Sequence, residues 1–67
     1  MQISINGSPR RFQSHSMSIA DLVAELNVAG KRIAIEYNGE IMARSRFAEV
    51  MLKDGDKLEI VGAVGGG

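Results

Sequence analysis

The chain has 67 residues, 8 basic and 8 acidic side chains, zero formal net charge and no cysteine. That length makes one small domain, which buries only about 60% of the surface its unfolded chain exposes. Disulfides and thiolate zinc sites are excluded, so an apolar core has to hold the fold unaided, and any sulfur the protein handles cannot ride on a side-chain thiol. Neither charge sign runs in a block, which argues against a nucleic-acid footprint; the pairs Arg10-Arg11 and Lys31-Arg32 read as solvated turns. No apolar run approaches membrane-spanning length and no signal-peptide pattern opens the chain, so a cytoplasmic protein with no nucleic-acid or membrane partner is expected.

Gln2 to Asn6 alternates polar and apolar, as a half-buried strand does. Asn6-Gly7 is a strong hairpin signal because both residues tolerate positive φ. Pro9, which cannot donate to a ladder, fits in or just after the turn. A returning strand is expected over Arg10 to Ser14, with Phe12 inward and Arg11 and Gln13 outward. A helix start follows. Ser18 is the expected N-cap, Asp21 completes a capping box and suits the positive end of the helix dipole, and Met17 is placed to staple onto Leu22. Ile19, Leu22, Val23 and Leu26 fall at i, i+3, i+4 and i+7 and make one apolar face. Asn27 to Gly30 supplies the stop.

Ile33 to Tyr37 reads as a third strand with Ile33, Ile35 and Tyr37 on one face. Asn38-Gly39 is a second hairpin turn, and Glu40 to Met42 a short return. Arg44 to Leu52 is less regular; Phe47, Val50 and Met51 are expected to form a turn or two of helix covering the open end of the core. Asp54-Gly55-Asp56 reads as a turn and not as a carboxylate pair. It feeds a last strand, Lys57 to Val61 or slightly beyond, with Leu58 and Ile60 inward and Glu59 and Val61 outward. The chain then ends Gly65-Gly66-Gly67. Three extended residues reach roughly 10 Å, and without Cβ atoms they enter a slot that excludes side chains. Such an arm suits a chain whose reactive group is its own terminal carboxylate.

The order hairpin, helix, short hairpin, irregular crossing, final strand implies an α+β fold of the ubiquitin-like β-grasp type. A mixed sheet of roughly four to five strands would grip one helix through a right-handed crossover. The final strand is expected centrally, beside the first. One domain over 1–67 is expected, with 62–67 as a projecting, flexible tail. His15, in a polar Ser-His-Ser stretch, reads as a loop residue, so no catalytic residue, no metal and no bound cofactor are expected. The glycines do not form a phosphate-binding loop, because no helix and no Gly-Lys-Ser/Thr follows them.

Several elements in order carry a resemblance along the whole chain: Ile3-Ser4-Ile5-Asn6-Gly7, Ser18-Ile19-Ala20-Asp21-Leu22, Ile33 to Gly39, Arg44-Ser45, Asp54-Gly55-Asp56, and Glu59-Ile60-Val61 running to the glycine end. With these the chain resembles the ThiS family, the sulfur carriers of thiamine thiazole synthesis. Ala43 departs from the family pattern, where proline often precedes the arginine; this concerns a loop and not the reactive end. The resemblance implies that a ThiF-type adenylyltransferase, using ATP and magnesium, forms an acyl-adenylate at Gly67. A persulfide donor then supplies sulfur, leaving a thiocarboxylate that thiazole synthase of the ThiG type accepts. The chain itself is then a co-substrate and not an enzyme. Gly66 and Gly67 let the backbone approach a nucleotide phosphate in the partner's slot, whereas Gly65 either joins them or lengthens the arm.

Docking needs a surface, and the sheet face away from the helix carries Ala34, Glu36, Glu59 and Val61 on the alternation above. Val61, Ala63 and Val64 are candidates for an apolar contact beside the tail, or ordinary exposed apolar residues. Arg44 and Arg46 read as solvated loop charges before a pairing with an acidic partner. Three other readings share the fold. They are a MoaD-like carrier for molybdopterin synthesis, a ubiquitin-like protein modifier joined through Gly67, and an interaction module with no terminal chemistry. Modest length favours the thiamine pathway over the molybdopterin one.

Overall fold

The structure is a computed structural model and describes residues 1–28 and 32–62. Strands β1 (Gln2–Ile5) and β2 (Ser8–Arg11) precede helix α1 (Ile19–Glu25). Strands β3 (Ile33–Tyr37) and β4 (Glu40–Met42), a 3-10 turn at Arg44–Arg46, and β5 (Lys57–Gly62) follow. The five strands form one mixed sheet in the order β2-β1-β5-β3-β4. β5 runs parallel to β1 and antiparallel to β3, so the last strand lies centrally beside the first, as expected.

Both hairpins turn on the same dipeptide. Asn6 and Gly7 take φ of 51° and 84°, and Asn38 and Gly39 take 50° and 91°. Two consecutive positive-φ residues match the right-handed twist of the flanking strands. The first turn is tight enough that β2 begins at Ser8, earlier than the alternation suggested, and Pro9 stands within it opposite Ser4. Proline is tolerated there because β2 is an edge strand. The expected strand over Arg10 to Ser14 is therefore displaced toward its turn. Phe12 lies beyond β2, yet it is buried, and its N–H donates to the Met1 carbonyl at 2.8 Å.

The helix start follows its sequence signature. Asp21 N–H donates to Ser18 Oγ and Ser18 N–H donates to Asp21 Oδ2, each at 3.0 Å. Two further N–H groups of the first turn are met from outside the helix. Ile19 donates to the Val50 carbonyl and Ala20 to the Phe47 carbonyl, each at 3.0 Å. The irregular stretch after β4 is thus held by the donors that every helix N-terminus leaves unpaired. At the other end Asn27 takes φ 63°. Its N–H reaches the Ala24 carbonyl and that of Val28 the Val23 carbonyl, a Schellman closure with asparagine in the place glycine usually takes.

The core joins Ile3, Ile19, Leu22, Ile35 and Leu58, all essentially inaccessible, with Phe12, Met17, Val23, Phe47 and Leu52 around them. One expectation is corrected here. Met51 does not cover the core but is 46% exposed, whereas Leu52 is buried in its place. Met51 forms a single bridge to Ser18, and Leu52 N–H donates to the Met17 carbonyl at 2.8 Å. That pairing gives Leu52, not Met51, the inward side of the segment.

Leu58 sits at the sheet centre with 1% exposure, so its truncation leaves a cavity that strands held on both sides cannot collapse to fill. Leu58→Ala is expected to lower unfolding free energy by about 2–5 kcal/mol, read as a reduced urea midpoint with an unchanged slope.

Candidate functional site

The candidate site is the end of β5 and the sheet face around it. β5 runs Lys57–Gly62, with Gly62 opposite Ile33, so Gly62 belongs to the strand and not to the tail expected over 62–67. Of the residues singled out from sequence, Ala63, Val64, Gly65, Gly66 and Gly67 lie outside the described residues. Val61 is described. It faces away from α1, is 59% exposed, and stands opposite Ala34.

Register builds the rest of that face. Directly opposed residues share a side of a sheet, so Ile41, Glu36 and Glu59 form one row and Ala34 and Val61 a second. Ile41 was read from sequence only as part of a short return strand. At 81% exposure it is the most open large apolar side chain among the described residues. Its signal lies in pairing alone: once Ile35 is inward, Glu36 is outward, and its partner Ile41 follows it. The two carboxylates Glu36 and Glu59 oppose each other directly, an arrangement that weakens strand pairing and adds nothing to the fold.

The strand is held by side chains at both of its edges. Near its start, Asn38 N–H donates to the Lys57 carbonyl at 2.8 Å and Lys57 N–H donates to Asn38 Oδ1 at 2.9 Å. Farther along, Ile60 N–H donates to Asn6 Oδ1 at 2.7 Å and Asn6 Nδ2 donates to the Ile60 carbonyl at 3.2 Å.

Just before β5, Asp56 is buried and fully engaged. Its Oδ2 accepts from the Tyr37 hydroxyl at 2.6 Å and from Lys53 N–H at 2.7 Å, and its Oδ1 from Asn38 Nδ2 at 3.2 Å. Burial alone would raise its pKa, but the Tyr37, Lys53 and Asn38 hydrogen bonds and the Lys53 charge outweigh it and lower the value. The hydrogen bond to Asp56, then burial and the Asp56 charge, push the Tyr37 hydroxyl up to about 12. Asp56 is therefore more than a turn former. Its neighbour Asp54 accepts from Gln2 N–H at 2.6 Å, which ties the turn to β1.

His15 is exposed, and among the described residues no three His, Cys, Asp or Glu side chains gather as a metal site. Arg46 lies 3.7 Å from Glu49 in an exposed pair, and Arg44 belongs to the same 3-10 turn. No helix among the described residues is long and apolar enough to cross a membrane.

The sequence model of the ThiS family matches residues 3–67. The chain is 37% identical over 65 residues to the sulfur carrier protein ThiS of Bacillus subtilis, covering 97% of this chain and 98% of that protein. It is 48% identical over 67 residues to a thiazole synthase of Paramagnetospirillum magneticum, covering all of this chain and 20% of that protein. The chain thus spans about one fifth of the length of that relative. The crystal structure of the thiamine biosynthesis protein ThiS from Geobacter metallireducens matches with a TM-score of 0.87 at 33% identity, over 100% of both chains. With that match, the five-stranded mixed sheet and its single helix are a ubiquitin-like β-grasp fold.

The Tyr37–Asp56 pair gives stability a defined pH window. The contribution of Tyr37, whose pKa is raised, is fully present below pH 10.0 and is lost as pH rises through about 12. The contribution of Asp56, whose pKa is lowered, is present above its ordinary value of 3.8 and is lost as pH falls below it. Tyr37→Phe is expected to cost about 1–3 kcal/mol at neutral pH. Denaturant midpoints measured from pH 3 to 12 should show the alkaline loss in the wild type and a smaller one in the variant.

Proposed function

The chain belongs to the ThiS family, and from that premise we propose that it is a sulfur carrier of thiamine biosynthesis, carrying its cargo at Gly67. The observation that carries this reading is the placement of β5. The central strand leads, through Gly62, directly into the segment that ends Gly65-Gly66-Gly67.

A C-terminal carboxylate has a pKa of about 3.3–3.7 and is ionised at neutral pH, so it resists attack until it carries a leaving group. In the proposed sequence the Gly67 carboxylate attacks the α-phosphorus of ATP, with magnesium, on a ThiF-type adenylyltransferase, and pyrophosphate leaves. The terminal sulfur of a partner's persulfide then attacks the carbonyl carbon and expels AMP. A partner thiol cleaves the resulting sulfur–sulfur bond, leaving a thiocarboxylate on Gly67 and a disulfide on the donor. This chain has no cysteine, so both sulfur groups belong to partners. A ThiG-type thiazole synthase accepts the sulfur. The chain is a co-substrate acting in the cytoplasm and catalyses none of these steps.

Gly66 and Gly67 admit the backbone beside the nucleotide phosphate, with Gly65 extending their reach. The outer sheet face, with Val61, Ala34 and Ile41 beside Glu36 and Glu59, is the proposed docking surface, continued by Ala63 and Val64. Exposed apolar side chains supply the contact and the carboxylates select a partner face bearing cations.

Incubation with a ThiF-type enzyme, ATP, magnesium and a persulfide donor is expected to give a species heavier by the difference between sulfur and oxygen. Fragmentation mass spectrometry should place the added mass at Gly67, and deletion of Gly67 should abolish it. Absence of ATP–pyrophosphate exchange with the wild-type chain would overturn the reading, and conjugates on denaturing gels would replace it with protein modification. For the docking face, Ile41→Lys is expected to raise the KM of activation about tenfold, equivalent to about 1.4 kcal/mol, with kcat unchanged. Steady-state pyrophosphate release measures both constants.

A further inference from the structure

In a regular parallel ladder β1 would continue past Ile5 and offer successive backbone groups to β5. It does not. After Asn6 N–H donates to the Leu58 carbonyl at 2.9 Å, the chain turns away at Asn6 with φ 51°. The next outward-pointing groups of β5 on that edge, the N–H and C=O of Ile60, would then have no strand to pair with. The Asn6 side-chain amide meets both, accepting at 2.7 Å and donating at 3.2 Å. It works as one extra residue of β1, built from a side chain. On the opposite edge β3 stays paired with β5 as far as Gly62. Both edges are therefore tied to within two positions of the strand's end, and only with Asn6 is this so.

The geometry points to Asn6 as a positioning residue for transfer at Gly67: its amide clip on Ile60 fixes the end of β5, to which the glycine-ended segment is joined. This deepens the sulfur-carrier reading and rests on it. Delivery of a terminal carboxylate into a partner's slot is a problem of orientation, in which a small displacement of the reacting group costs rate. Loss of the clip frees Ile60 on the β1 edge and lets the strand end swing about its β3 pairing. Docking through the outer face is untouched, since Asn6 contributes nothing to the rows formed by Ile41, Glu36 and Glu59, or by Ala34 and Val61. The expected signature is a fall in kcat without a rise in KM.

Two variants isolate the amide. Asn6→Gly keeps the positive φ and removes donor and acceptor together. Asn6→Asp keeps an acceptor for Ile60 N–H and loses the donor to the Ile60 carbonyl. Asn38→Gly is the control, since it removes a side-chain tie at the start of β5, where Asn38 Oδ1 accepts from Lys57 N–H, together with the Asn38 Nδ2 bond to Asp56. Backbone amide exchange by NMR and activation by a ThiF-type enzyme with ATP are measured on all four chains. In Asn6→Gly, Ile60 exchange should rise at least about tenfold while Leu22 and Ile35 stay protected. Its kcat should fall about fivefold to tenfold with KM within twofold, and Asn6→Asp should lie between it and wild type. Asn38→Gly should lose stability and keep kcat. Unchanged Ile60 exchange in Asn6→Gly, or an equal loss of kcat in Asn38→Gly, overturns the inference. A wild-type chain that is not activated overturns the carrier reading and this inference with it; normal activation of both wild type and Asn6→Gly overturns this inference alone.

Discussion

β5 has to be paired along both edges although one neighbouring hairpin turns away beside its start and the other before its end, and the rest of the structure depends on how that is met. The parallel neighbour β1 leaves at Asn6 and the antiparallel neighbour β3 leaves at Asn38. At each departure the asparagine that makes the turn also replaces the missing ladder partner with its side chain. The two duties ask for the same residue. Positive φ favours glycine, asparagine or aspartate, and of these only asparagine offers an acceptor and a donor together. The glycine that follows each asparagine completes the turn and leaves the amide free for β5. An asparagine–glycine pair here is a turn signal and a statement about a third strand at once.

The helix side of the molecule is organised by a complementary economy. A helix of seven residues has few internal bonds, so most of its first-turn donors must find partners elsewhere. Ser18 supplies one, and the carbonyls of Phe47 and Val50 supply two more. The segment from Arg44 to Leu52 thereby gains fixed positions without forming a strand or a long helix, and it places Phe47 and Leu52 over the core. At the other end of that segment Asp56 gathers three donors before β5 begins. A buried carboxylate is costly unless satisfied, and here a tyrosine hydroxyl, a backbone N–H and an amide satisfy it. In a chain without disulfides these polar closures bound a core too small to specify the irregular segments by packing alone.

Much of this was legible in the sequence because it is local. The capping box at Ser18 and Asp21, both asparagine–glycine turns, the bounds of β3 and β4, and the inward side of β5 each depend on residues a few positions apart. What was not legible depends on pairing between distant segments. Pro9 lies within β2 because the edge position leaves its missing donor facing solvent, which periodicity does not encode. Leu52 replaces Met51 in the core because a carbonyl of Met17 fixes that segment's register. Ile41 is exposed because its partner is Glu36. Asp56 read as a turn residue because its donors come from Tyr37 and Asn38, far along the chain.

The strand order also bears on what the end of the chain can do. An exposed edge strand offers its free backbone groups to any passing strand, and a reactive end extending from such a strand would be drawn into edge pairing with other chains. Placing β5 in the middle removes that hazard, since β1 and Asn6 cover one edge while β3 and Asn38 cover the other. The edges that remain belong to β2, interrupted by Pro9, and to β4, which has only three residues. Both are poor templates for addition of a strand. The outer face, where register places Ile41 and Val61, is left open for the proposed docking. The proposed carrier reading, in which successive partners grip the chain and chemistry takes place at Gly67, calls for such a separation between a sheet that refuses new strands and the reacting end.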